Sequence, residues 1–78
     1  SLPELGRKTS RLLHIHRNVP GVLAKLTQAL STHEANIAFQ ALNTNSEVGY
    51  VVTDVTSARP GLVSELEEIP GTIRVRLI

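Results

Sequence analysis

Apolar and polar positions in this chain switch between two rhythms, and the switches mark out the elements. From Arg11 to His16 the period is two, with Leu13 and Ile15 on one side and His14 and His16 on the other, which predicts a strand. After Pro20-Gly21 the spacing stretches. Val22, Leu23, Leu26, Ala29, Leu30 and His33 recur at i, i+3, i+4 and i+7, which predicts an amphipathic helix over about Pro20 to Glu34. Asn18 is placed to cap that helix, and Pro20 is tolerated in its first turn.

Asn36 to Asn43 reads as a second strand and Val48 to Val55 as a third, joined by the turn-forming run Thr44-Asn45-Ser46-Glu47. Thr56-Ser57-Ala58-Arg59-Pro60 opens a second helix with Leu62, Val63, Leu66 and Ile69 on one stripe, while Glu65, Glu67 and Glu68 face mostly solvent. Pro70-Gly71 stops it and launches a last strand, Thr72 to Leu77. There Ile73, Val75 and Leu77 are expected to face inward and Arg74 and Arg76 outward. The order is βαββαβ. That predicts an α+β, ferredoxin-like domain: a four-stranded antiparallel sheet with two helices on one face. Residues 1–10 mix polar groups with Pro3 and Gly6, lack a period, and read as a linker or arm ahead of a domain over 11–78.

A faint internal repeat supports this division. Pro20-Gly21-Val22-Leu23 and Pro60-Gly61-Leu62-Val63 open the two helices at equivalent places. Where the first half carries His16 and Asn18, the second carries Thr56 and Ala58. The shared residues read as scaffold, and those peculiar to the first half are the candidates for function.

Size and charge narrow the field. A chain of 78 residues buries only about 60–65% of its unfolded surface, which favours association or attachment to a larger body. Its lack of methionine even at position 1 reads as a piece cut in a linker from a longer protein, with a processed small protein as the alternative. A net charge of +1 gives no broad electrostatic grip on nucleic acid. With Phe39 and Tyr50 as its only aromatics, the chain lacks the stacking platform of an RNA-recognition sheet. No apolar run approaches the ~20 residues of a membrane span, and there is no cysteine for a disulfide, a thiolate nucleophile or a thiolate metal site. A cytoplasmic setting fits that composition. No serine sits in a nucleophile setting and no glycine-rich phosphate loop is present, so no residue is assigned a catalytic role. His14 and His16 share a face, but a metal site needs a third ligand, and none is evident. No metal is assigned.

The turn His16-Arg17-Asn18-Val19-Pro20-Gly21 has two readings. In one, Asn18 caps the helix and His16 is an exposed residue at a strand end. In the other, the helix N-terminus, placed at Val19, Pro20 and Gly21 and carrying unpaired N–H groups and roughly half a positive charge, attracts the carboxylate of a small zwitterion. His16 then donates to that ligand and Asn18 offers both a donor and an acceptor. One turn cannot enclose a ligand. Asn36 either makes an ordinary turn at the start of the second strand, or completes the site from a second copy joined edge to edge about a two-fold axis.

The segments His14-Ile15-His16-Arg17-Asn18-Val19-Pro20-Gly21-Val22-Leu23, Asn36-Ile37-Ala38, Gly49-Tyr50-Val51-Val52 and Ile69-Pro70-Gly71-Thr72-Ile73-Arg74 together resemble the ACT regulatory domains, most closely the C-terminal serine-binding domain of the D-3-phosphoglycerate dehydrogenases. The resemblance covers about Leu12 to Leu77. It implies that L-serine binds between two such domains, held by His16 and Asn18 of one and Asn36 of the other, as a feedback inhibitor of serine biosynthesis. It implies a homodimer through these domains within a higher homo-oligomer, and a missing N-terminal catalytic region that uses NAD. The piece itself is then no enzyme and holds no cofactor. A dimerisation module that senses nothing, and an ACT domain for another small amino acid, remain the alternatives.

Overall fold

The computed structural model describes Leu2 and residues 8–78. The arm expected over 1–10 lies mostly outside the described residues. The first strand already begins at Thr9. The elements follow the expected order: β1 (Thr9–Arg17), α1 (Val22–Thr32), β2 (Asn36–Thr44), β3 (Val48–Thr56), α2 (Leu62–Glu67) and β4 (Thr72–Leu77). The four strands form one antiparallel sheet in the order β2-β3-β1-β4. β2 and β4 are its edges.

Alternation decides which face is covered. Leu12 and His14 of β1, Val51 and Val55 of β3 and Val75 of β4 turn toward the helices and are buried. They meet Val22, Leu26, Ala29 and Leu30 of α1, then Leu62 and Leu66 of α2 and Ile69 beyond it. Leu12, Leu26, Val51, Val55 and Leu66 are wholly excluded from solvent. The other face of the sheet is open. Leu13 and Ile15 are half-buried there, and Arg11 grips Asp54 in a bidentate pair with Nε–Oδ1 2.7 Å and Nη2–Oδ2 2.9 Å.

Several local expectations change. Both helices are shorter than their apolar spacing suggests, and α2 has only six residues. Leu23 falls outside the α1 stripe and is exposed. In β4 only Val75 is buried. The pairing with β1 slips between Ile15 and His16, and the slip leaves Ile73 unpaired and exposed, while Leu77 lies at the open end of this edge strand. Asn18 does not cap α1. The N-cap is Gly21, at φ 91°, with no side-chain cap, and Gly61 opens α2 in the same way at φ 94°. The repeated Pro-Gly pair is therefore a backbone device: glycine reaches a left-handed conformation that a side chain would strain.

Because Leu26 sits at the centre of the α1–sheet contact, Leu26→Ala is expected to lower stability by about 2–5 kcal/mol. Leu23→Ala, on the exposed side of the same helix, should stay within about 0.5 kcal/mol of wild type. Denaturant unfolding of the two variants checks the assignment of the buried face.

Candidate functional site

The site is assembled at one end of the sheet, where β1 leaves its strand and turns into α1. His16 is the last inward-facing residue of β1. Its cross-strand neighbour is Gly49, and the imidazole occupies the space a side chain would take there. A Cβ built on Gly49 would stand 2.6 Å from His16 Nε2. Glycine in a strand interior commonly marks such a close approach. His16 is consequently 4% exposed and is not the solvent-facing strand-end residue of one sequence reading.

The protonation pattern of His16 follows from one contact. Nδ1 lies 2.8 Å from the carbonyl oxygen of Arg17, which can only accept, so Nδ1 carries the proton. In the neutral ring Nε2 is then a bare lone pair. It is buried and has no partner among the described residues. The donor role expected of His16 therefore belongs to the protonated ring only. In the neutral ring the nitrogen left for a ligand is an acceptor.

His14 lies behind it, 1% exposed. The two rings meet edge to face, with centroids 5.4 Å apart and an interplanar angle of 62°. His14 Nε2 is 2.8 Å from Thr72 Oγ1. The Thr72 hydroxyl donates its proton to the carbonyl of Leu66 at 3.1 Å, so it accepts from His14 Nε2–H. His14 Nδ1 is thereby the second buried lone pair without a partner. Burial, with the neighbouring His16 adding to it, pushes the His14 pKa down to about 4.

Asn18 is exposed and belongs to the hairpin rather than to the helix. Its Nδ2 donates to the Asn45 carbonyl at 2.7 Å, and its backbone N–H donates to Glu47 O at 2.8 Å. Asn45 shapes that hairpin by accepting from the N–H groups of Glu47 and Val48 on its own Oδ1, each at 2.8 Å. From the other side, the Arg17 N–H donates to Gly71 O at 2.7 Å. Gly71 stands at φ 93°, and a Cβ there would come within 3.3 Å of Val19. The 17–21 turn is thus clamped between two loops. Beside it, Arg17, Asn18, Val19, Ser46, Glu47, Val48 and Ile73 line a shallow cleft.

Asn36 is not in this neighbourhood. It opens β2 opposite Thr56, whereas His16 is level with Gly49 and, across β3, with Thr44 at the far end of β2. Within one chain Asn36 and His16 lie at opposite ends of the sheet. His33 is likewise remote: it caps the C-terminus of α1 and bonds the partly exposed Glu65 at Oε1, 2.8 Å away. Asp54 is held by Arg11 on the open face, opposite the two imidazoles. Among the described residues no cluster of three or more His, Cys, Asp or Glu could hold a metal ion. Sequence reasoning missed Gly49 and Thr72 as parts of the site. A lone glycine inside a β-branched strand was the available signal for the first, and the second had none.

These features define an α+β domain of the ferredoxin-like class. The family model described as the AHAS small subunit-like ACT domain matches residues 12–74, and the chain belongs to that family. Over its full length it is 51% identical to a D-3-phosphoglycerate dehydrogenase of Haemophilus influenzae and 42% identical to one of Escherichia coli K12, spanning 19% of each of those proteins. Its fold is similar to that of the ACT domain from the GTP pyrophosphokinase of Chlorobium tepidum, with TM-score 0.79, 15% identity, and coverage of 90% of this chain and 96% of that one. It is similar also to the ligand-free regulatory subunit of aspartate kinase from Thermus thermophilus, with TM-score 0.72, 20% identity, and coverage of 96% and 53%.

Two outcomes are expected. Gly49→Ala should displace the His16 ring and lower stability by about 1–3 kcal/mol, the usual range for overpacking, as read by denaturant unfolding. His14 is neutral in the fold but binds a proton near pH 6.5 once unfolded, so its burial favours unfolding in acid. Stability present above pH 6.5 should fall by up to about 3 kcal/mol as pH drops from 6.5 to 4. Melts of His14→Gln across that range should show a flatter limb.

Proposed function

We propose that this chain is an L-serine-sensing regulatory domain that acts as a pair, with each ligand held by His16 and Asn18 of one copy and Asn36 of the other beside the helix N-terminus at Val19, Pro20 and Gly21. The observation that carries this reading is the bare, buried Nε2 of His16. An unsatisfied buried acceptor costs about 1–3 kcal/mol, and a ligand that brings an O–H or N–H removes that cost. Serine brings a hydroxyl and an ammonium, and its carboxylate suits the orphan N–H groups of the first turn of α1, next to Gly21.

The second copy is supported by register. β2 is an edge strand with unpaired backbone groups. A two-fold axis near its midpoint would set Asn36 of one copy opposite Thr44 of the other, in the row that runs through Gly49 to His16. Serine bound across that seam would favour one relative orientation of the two domains. It would control the attached body only as far as its affinity differs between the active and inhibited arrangements.

By similarity to the dehydrogenases, the attached body is an NAD-dependent D-3-phosphoglycerate dehydrogenase of the cytoplasm, inhibited by its end product and assembled as a higher homo-oligomer. The two βα turns here lack a Gly-x-Gly-x-x-Gly loop, so NAD would be held outside this chain. Titration calorimetry with L-serine, D-serine and L-valine on protein verified as a dimer tests the proposal. Saturable, stereoselective heat near one L-serine per chain, at a Kd of about micromolar, is expected. Asn36→Ala should lose affinity by about tenfold or more while keeping its fold. No heat from the dimer would favour a dimerisation module, and heat with another amino acid a different effector.

A further inference from the structure

The unused member of the site is His14. It is more deeply buried than His16, does not reach the 17–21 turn, and leaves Nδ1 unpartnered. An imidazole is an expensive occupant of a core position flanked by Val51 and Val75 across the strands. Leucine or valine would fill that space without an orphaned nitrogen, so packing alone does not explain it.

The hydrogen bonds around it run in one direction. Leu66 O accepts from Thr72 Oγ1–H, Thr72 Oγ1 accepts from His14 Nε2–H, and the His14 ring meets the His16 ring edge to face. Leu66 O also accepts the Ile69 N–H at 3.2 Å, and Ile69 O accepts the Thr72 N–H at 3.0 Å, closing the turn between α2 and β4. The next residue back, Gly71, accepts from Arg17 N–H, and Arg17 O accepts from His16 Nδ1–H. The His16 ring is thus held from two sides by the same short segment, Gly71-Thr72. One line runs through the backbone of Arg17 and the other through the side chain of His14.

We propose that His14 is the positioning residue of the ligand site: with Thr72 it fixes the ring orientation of His16, so that Nδ1 stays on the Arg17 carbonyl that sets its tautomer, and it ties ligand occupancy to the turn between α2 and β4. The inference rests on His16 being a ligand-binding residue. His14 touches no ligand. It acts through His16, by restricting the ring to the setting in which Nδ1 donates to Arg17 O and Nε2 is left as the unpartnered acceptor beside Gly49. Second-layer partners commonly orient a binding imidazole in this way.

The test uses His14→Leu, which keeps apolar volume and removes the donor, and His14→Gln, which restores an N–H near the position of Nε2. Thr72→Val removes the acceptor while leaving both imidazoles in place. Two readouts are taken on each folded variant: the nitrogen chemical shifts of the His16 ring, and the L-serine titration with the Thr72 amide followed by NMR. In wild type a single Nδ1–H tautomer and a serine-dependent shift of the Thr72 amide are expected. His14→Leu and Thr72→Val should mix the tautomers, weaken serine by about tenfold and abolish the Thr72 response, and His14→Gln should recover all three. If His14→Leu fails to fold, Thr72→Val decides. A variant lacking the donor or the acceptor that keeps one His16 tautomer overturns the proposal. If wild type binds no serine, the serine reading fails, while the tautomer measurement still decides whether His14 positions His16.

Discussion

The whole site depends on one steric fact: an imidazole can pack close against the backbone of β3 because position 49 has no side chain. With a Cβ there, the His16 ring would have to shift from its place. That place sets both its hydrogen bond to the Arg17 carbonyl and its edge-to-face contact with His14. The loops then close around this placement. The Asn45 hairpin holds Asn18 from one side and the Pro70-Gly71 turn holds Arg17 from the other. A domain this small has little core to spare, yet it puts two imidazoles in it and leaves one lone pair bare on each. Polar groups are rarely left so in a core unless function requires it.

Much of the architecture was legible in the residues, because it follows from period and punctuation. Alternation in β1 and β3, the stripe Val22–Leu26–Ala29–Leu30 and the two Pro-Gly openings fix a βαββαβ order with few alternatives. Element ends were less legible. The spacing of Leu66 and Ile69 suits a longer helix than α2, but tertiary contacts bury Ile69 just as well from the turn that follows. The slip in the β1–β4 pairing, which exposes Ile73, depends on how the Gly71 turn meets Arg17 and leaves no mark in the pattern.

The site was legible by composition but not by geometry. His16 and Asn18 stand out because the second half of the internal repeat lacks them. Their roles could not be read that way. Asn18 resembles a helix cap, but the N-cap position falls three residues later, at Gly21, and Asn18 reaches the hairpin instead. His16 looked exposed because it ends a strand, but the turn folds over it. The link from His14 to Thr72 joins residues 58 positions apart, a distance at which local rules are silent.

One consequence follows from where β2 begins. Asn36 and His16 are separated by the full length of the sheet, so no rotamer change or loop movement within one chain can bring them onto a common ligand. Any recognition that uses both is a count of chains as much as of ligand. Its threshold shifts with protein concentration, and an isolated copy, however well folded, is half a receptor. Association and sensing then become the same measurement, and a substitution that merely loosened the pairing of β2 edges would look, in a binding assay, like damage to the pocket.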